Sequence, residues 1–204
     1  MMEGKPSMAM HQEMIESFGT MKMVMDLKSE FPENFHFVRG NHDEIKGNFA
    51  KYARNVGESA MVQRWVQQNL GQDFLDQYAQ FENTMPLVVR GQGFVASHAA
   101  PGGTLNREAV QQRDAKAFAQ LAWTENRNWN DQDSQVQARF QNNLKEVGGE
   151  GSHWLVGHRP VAQGHFRSQF DGQLIQINAP NDFVAALVPA DGQFDPQRDV
   201  FRLT

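Results

Sequence analysis

Residues 36–44 read HFVRGNHDE. An apolar run, Phe35, Phe37 and Val38, leads through Arg39 to Gly40, and four polar or ionisable residues follow in succession: Asn41, His42, Asp43 and Glu44. The pattern predicts a short strand over Phe35–Arg39 that breaks at Gly40. Polar groups set just past a strand end lie in a loop, and a loop held by a rigid scaffold is where chemistry is most often placed.

The same local grammar recurs twice. GFVASHAAPGG at 93–103 and HWLVGHRPV at 153–161 each run an apolar strand into a small residue and then a histidine, Ser97-His98 and Gly157-His158. Three histidines delivered alike can converge on one site from separate segments of chain. Imidazole binds Zn, Fe, Mn or Ni, and it can donate a proton near neutral pH. An Asn carboxamide oxygen can hold a hard cation, so the chemical reading has Asn41 binding a metal while His42 projects toward a reacting group. A strand-end turn, where Asn is common for backbone reasons, accounts for Asn41 as well.

Composition narrows the classes. With 204 residues and 40% hydrophobic content, the chain can bury a substantial core and fits one domain better than two. The net charge is −5, and the 19 basic residues are scattered, which argues against a nucleic-acid surface. There is no cysteine, so disulfides and thiolate metal sites are excluded and His, Asp, Glu and Asn remain as ligands. No apolar run reaches the roughly 20 residues of a membrane span. The opening MMEGKPSMAM lacks the pattern of a secretory signal, so a cytoplasmic location is the expectation.

Along the chain, Met14, Phe18, Met21 and Met25 keep a three-four spacing that predicts an amphipathic helix from Ser7 to about Lys28. Eight of the ten methionines precede Asp26, and a methionine stripe at helical spacing reads as core. Further helices are expected over Asp43–Arg54, Ser59–Tyr78, Glu108–Ala122 and Gln135–Val147. Leu87–Val89 and Phe94–Ala96 flank the Gly91-Gln92-Gly93 turn as a hairpin. Past residues 148–151 the texture turns to strands at Trp154–Val156, Gln173–Ile177, Phe183–Val188 and Val200–Leu203. The whole predicts an α+β fold, a sandwich of sheets flanked by helices.

These residues resemble the calcineurin-like metallophosphoesterases, most closely the PPP-type serine/threonine protein phosphatases. Gly40-Asn41-His42-Asp43/Glu44 is similar to the family's Gly-Asn-His-Asp/Glu motif, in which Asn binds a metal and His is the general acid. Phe94–Pro101 resembles the strand leading to its His-Gly-Gly segment, although Ala99 and Ala100 stand where the family has glycines. Val156-Gly157-His158 resembles its last metal-binding Gly-His segment. Phe31-Pro32-Glu33-Asn34-Phe35 and Asn178-Ala179-Pro180-Asn181 are similar to the family's approach to the Asn-His motif and to its Ser-Ala-Pro-Asn segment. The likeness runs from about Gly4 to Val188.

The resemblance implies a metallophosphoesterase-like β-sandwich flanked by helices, with residues 1–204 forming a single domain. It implies hydrolysis of a phosphoester, phosphoserine or phosphothreonine on a phosphoprotein or a small phosphoester, with two divalent ions (Mn, Fe or Zn) and an activated water. Asn41, His98 and His158 would be metal ligands, and His42 the general acid. Arg127, in the stretch Trp123-Thr124-Glu125-Asn126-Arg127-Asn128-Trp129, and Arg159 are the candidates to clamp phosphate. No nucleic-acid or membrane partner is implied.

The family's Asp-x-His and Gly-Asp-x-x-Asp-Arg motifs do not occur here. The expectation is therefore a domain truncated at its N-terminus, with this chain inactive or weakly active by itself. Charge points the same way. Asn41, His98 and His158 are three neutral ligands, and two divalent cations in a partly dry site need carboxylates or other anions to offset them. Asp43 and Glu44 read better as acidic residues at a helix start. A dinucleoside polyphosphate or nucleotide phosphohydrolase shares the metal motifs and stays open, as does a non-catalytic remnant or binding module. His11, His36 and His153 read as structural, and His165 as a residue that could approach substrate.

Overall fold

The structure, a computed structural model, describes residues 8–46, 56–126, 129–148 and 151–203, the side chains of 56–59 excepted. It is mixed α and β, and it divides into two compact units: 1–37 with 42–86, and 38–41 with 87–204.

The first unit is helical. Helix α1 spans Met8–Glu30, α2 Val56–Asn69 and α3 Gln72–Thr84. Long unbranched side chains favour α1, and Pro32 ends it because a proline disfavours helical backbone before it. Met14, Phe18 and Met21 pack against a core of Ile45, Trp65, Val66, Leu75, Tyr78 and Ala79, as the spacing predicts, while Val24 rather than Met25 is the buried residue of α1. Each large side chain so buried contributes about 1.5–3 kcal/mol. The ring of Phe18 stacks on Trp65 at 5.7 Å and meets Tyr78 edge-on at 5.2 Å.

Two helical expectations change here. Ser59–Tyr78 is not one helix: α2 ends and α3 starts at Gly71, whose φ of 91° is a left-handed conformation that only glycine adopts at no cost. Residues 43–46 lie in turns and irregular backbone instead of opening a helix, and the remainder of the Asp43–Arg54 expectation, 47–54, falls outside the described residues. In place of an intrahelical bond, the Ile45 amide donates to Glu82 Oε2 at 2.8 Å. The strand expected over Phe35–Arg39 does not form either, because an apolar run becomes a strand only where a neighbouring strand completes its hydrogen-bond ladder.

The second unit is built on a five-stranded mixed sheet. Strands β1 (Val88–Gly91), β2 (Phe94–Ser97), β3 (His153–Val156), β4 (Arg167–Gln169) and β5 (Leu174–Gln176) lie in the order β1-β2-β3-β5-β4. The expected hairpin is present as β1 antiparallel to β2. The pairs β2–β3 and β3–β5 are parallel, with Ser97 opposite Val156 and Val156 opposite Gln176. β4 was not foreseen, because Arg-Ser-Gln shows no alternation of apolar residues. Helices α4 (Arg107–Gln111), α5 (Ala115–Ala122) and α6 (Ser134–Val147) follow β2. The helix expected over Glu108–Ala122 divides at Arg113, φ 54°, and restarts where Asp114 caps the Ala117 amide at 2.6 Å. A short helix α7 (Pro196–Asp199) precedes β7 (Val200–Arg202), which pairs antiparallel with β6 (Val184–Ala186).

Alternation along the parallel strands sorts the two faces of the sheet. Leu155 and Ile175 share a cluster with Phe194 and Val200, against which Ala96, Val184 and Ala186 pack, so the β6–β7 ribbon lies over that face. On the opposite face Trp154 is fully buried and its ring lies 6.2 Å from that of Phe140 in α6. Among the described residues no helix is long and apolar enough to cross a membrane.

Candidate functional site

Parallel pairing decides what meets at the strand ends. Because β2 and β3 run the same way with Ser97 opposite Val156, the residues that follow, His98 and Gly157-His158, leave the sheet side by side. The Gly157 amide donates to the His98 carbonyl at 3.1 Å, which ties the two exits together. Asn41 reaches the same place on the segment Val38–Asn41, which belongs to this unit. Arg39 anchors that segment: it is 3% exposed, and its guanidinium stands 4.9 Å from the centre of the Phe118 ring. A desolvated cation over an aromatic face contributes about 2 kcal/mol.

Three atoms of types able to ligate a metal converge as a result. His98 Nε2 lies 2.8 Å from Asn41 Oδ1 and 3.0 Å from His158 Nδ1. The two imidazoles meet edge to face, with centroids 4.9 Å apart at 63°. Asn41 Oδ1 can only accept, so a hydrogen on His98 Nε2 serves it, and that one hydrogen cannot serve His158 Nδ1 equally well. Ligand bonds of about 2.0–2.2 Å put neighbouring donors about 3 Å apart in octahedral coordination. The observed separations of 2.8 and 3.0 Å fall at that spacing.

The backbone under the site is held in a costly shape. His158 has φ 50°, in the left-handed region, which costs a non-glycine residue about 1–2 kcal/mol. Such conformations persist where the surroundings over-determine them and gather at functional sites. Here the Arg159 amide donates to the Gly157 carbonyl at 2.7 Å, and Asn178 Nδ2 donates to the His158 carbonyl at 3.4 Å. Gln176 Nε2 donates to the Arg159 carbonyl. Arg159 Nε, a donor, and Gln176 Oε1, an acceptor, are buried without hydrogen-bond partners among the described residues; a bound water could satisfy either, and a ligand oxygen could accept from Arg159 Nε.

Behind His98 the chain is clamped from three sides. Ser97 Oγ donates to the Ala99 carbonyl at 2.8 Å and accepts from Trp154 Nε1 at 2.8 Å. The Ala99 amide donates to the Leu121 carbonyl at 2.6 Å. Asn126, 2% exposed, accepts from the Ala100 amide at 3.1 Å and donates to the Ala100 carbonyl at 2.8 Å. Neither Asn126 nor Gln176 was expected at the site. A glutamine in the apolar strand Gln173–Ile177 is the one signal that could have pointed to it, since a buried polar side chain needs a reason.

The other candidate residues are distributed differently. His42 is exposed, belongs to the first unit and lines a cavity there with Tyr78 and Glu82. Glu44 is buried at 8% exposure within the first unit. Arg159 forms an ion pair with Glu125 through Nη2 and Oε1. Arg127 lies outside the described residues. His165 Nε2 sits 3.1 Å from the Val200 carbonyl, which ties it to β7. His11 accepts from Trp65 Nε1 at 3.0 Å and His153 packs edge-on against Phe194 at 5.1 Å, both structural uses.

Two neutral nitrogens and a carboxamide oxygen suit a single borderline divalent ion such as Zn, Mn or Fe. They do not suit a pair. Among the described residues no three His, Asp or Glu side chains gather at one place, and two divalent ions would need carboxylates or other anions beside these neutral donors. No family model and no curated protein matches the chain.

Proposed function

We propose that this chain carries one half of the metal centre of a phosphoester hydrolase of the calcineurin-like metallophosphoesterase class, PPP type, acting on phosphoserine or phosphothreonine. The observation that carries the proposal is the convergence of Asn41 Oδ1, His98 Nε2 and His158 Nδ1 within 3.0 Å contacts at the ends of two parallel strands. The β6–β7 ribbon layered on the five-stranded sheet supports the sandwich that the same class implies.

In this reading Asn41, His98 and His158 hold one divalent ion, Mn, Fe or Zn. That ion supplies Lewis acidity toward a phosphoryl oxygen. As a water adds to phosphorus and the ester P–O bond breaks, His42, next in the chain after Asn41, donates a proton to the departing alkoxide oxygen. Arg159, with Arg127, contributes a planar pair of N–H donors to phosphate oxygens. Phosphate must compete with Glu125 for Arg159.

Titrating the chain with Mn2+ and with Zn2+ in a calorimeter tests the proposal. One ion per chain is expected, with Asn41→Ala and His98→Ala each weakening it about tenfold or more. If neither ion binds, or both variants bind as the parent does, the proposal is wrong. The neutral donor set also favours a second reading, a metal-binding module without turnover. Assays on a phosphopeptide and a dinucleoside polyphosphate separate the two: turnover of either that His42→Asn abolishes while ion binding stays intact supports catalysis, and the preferred compound names the substrate class.

A further inference from the structure

The β6–β7 ribbon is apolar on both of its faces. Val184 stands opposite Arg202, Ala185 opposite Phe201 and Ala186 opposite Val200. Alternation sends Val184, Ala186 and Val200 to the cluster they share with Leu155 and Ile175. The odd-numbered positions project the other way: Phe183, Ala185 and Leu187 on one strand, Phe201 and Leu203 on its neighbour. Pairing continues past both strand ends, because the Leu203 amide donates to the Phe183 carbonyl at 2.5 Å and the Leu187 amide to the Asp199 carbonyl at 2.9 Å. These outward side chains are largely in solvent: Phe183 is 80% exposed, Leu187 66%, Leu203 56% and Phe201 39%. An antiparallel pair with one face on a core carries polar residues on a face left to water, whereas strands apolar on both sides belong between two layers. Single exposed apolar residues are ordinary, but four large ones gathered on one face form a patch.

We propose that this face is an interface between two copies of the chain, packed ribbon on ribbon about a two-fold axis. Area fits such a dimer. At about 150–250 Å² for a large side chain, the exposed parts of these four amount to about 400–500 Å² in each copy. Two copies then bury about 800–1,000 Å² through these side chains, and a rim of neighbouring residues brings the total to the about 1,000–1,200 Å² at which specific association begins. Shape fits as well. Ala185 is small and lies between Phe183 and Leu187 along its strand, with Phe201 beside it, so it leaves a hollow in the patch. A two-fold axis between the ribbons, crossing the strands midway between residues 183 and 185, sets Phe183 of each copy over Ala185 of the other, and each hollow receives a ring. None of the five residues carries a charge or a polar side-chain atom, so the face offers nothing to a nucleic acid or a lipid headgroup.

The inference does not rest on the phosphoester reading, since none of the proposed metal ligands lies in the ribbon. Sedimentation velocity of the full chain over a series of concentrations tests it. A dimer with a dissociation constant of about 1–100 μM is expected, the weak end for an interface of this size. Phe183→Glu and Leu203→Glu should each weaken association about tenfold or more. Both side chains are mostly in solvent in the single copy, so circular dichroism and thermal melting of the dilute variants should match the parent. Met23→Glu, at an exposed apolar position on α1, should leave association unchanged. A mixture reads the two-fold arrangement: Phe183→Glu and Ala185→Lys chains, each monomeric alone, should pair with each other, because the new charges then face across the interface. A parent that stays monomeric throughout, growth beyond a dimer, association that Phe183→Glu leaves intact or that Met23→Glu weakens as much, or a mixture that fails to pair would overturn the inference.

Discussion

Replacing Ser97 by Ala removes one oxygen atom from the core, and its cost can be worked from the bonds it makes. Trp154 is fully buried and donates its indole N–H to Ser97 Oγ at 2.8 Å. The hydroxyl in turn donates to the carbonyl of Ala99, also fully buried, at 2.8 Å. Losing a single oxygen leaves almost no cavity, so the cost is that of the stranded polar groups. A buried donor or acceptor left without a partner costs about 1–3 kcal/mol, and two of them give about 2–6 kcal/mol. That is a large share of the about 5–15 kcal/mol that holds a domain together. Amide hydrogen exchange at Leu155 and Ile175 reads the second unit specifically, and the free energy of opening there should drop by about 2–6 kcal/mol. In a Trp154→Phe background the stranded N–H no longer exists, and Ser97→Ala should then cost about 1 kcal/mol less. A loss under about 0.5 kcal/mol, or the same loss in both backgrounds, would show that the indole is satisfied some other way and would refute the reasoning.

Three further outcomes follow from the site and its surroundings. Glu125→Gln should release Arg159 and tighten binding of inorganic phosphate, while Arg159→Ala should weaken it, both read by calorimetry. Asn126→Ala removes both bonds to the Ala100 backbone and should lower stability by about 2–3 kcal/mol, measured by urea unfolding. Asp199 has its carboxyl held below the ordinary value by the Arg198 guanidinium and by the Asp195 amide. A carboxyl depressed in the folded state stabilises above the unfolded value of about 3.9 and loses that contribution as pH falls through the folded one. The difference in melting temperature between the parent and Asp199→Asn should therefore hold steady at higher pH and shrink below about pH 4.

Much of the fold was legible because its signals are local. The stripe Met14, Phe18 and Met21 specifies a helix and its buried face, and the β1–β2 hairpin follows from two apolar runs around Gly91-Gln92-Gly93. The breaks at Gly71 and Arg113 were harder, since a single positive φ divides a helix without altering the periodicity around it. The stretch Phe35–Arg39 misled for the opposite reason: its apolar pattern is that of a strand, but pairing depends on a partner far away in the chain.

The candidate site divides in the same way. By itself the sequence determined that Asn41, His98 and His158 each lie just past an apolar segment beside a small residue, and that the chain offers them no cysteine. Only the tertiary structure decided that these three meet, because that depends on β2 and β3 being parallel neighbours in a fixed register and on Arg39 burying its guanidinium over Phe118. It also decided that Arg159 is engaged by Glu125 and that Asp43, Glu44 and Glu82 share a cavity with Phe18 and Tyr78. Ligand type is written residue by residue, whereas convergence is a property of strand order and register, which arise from contacts between segments far apart in the chain.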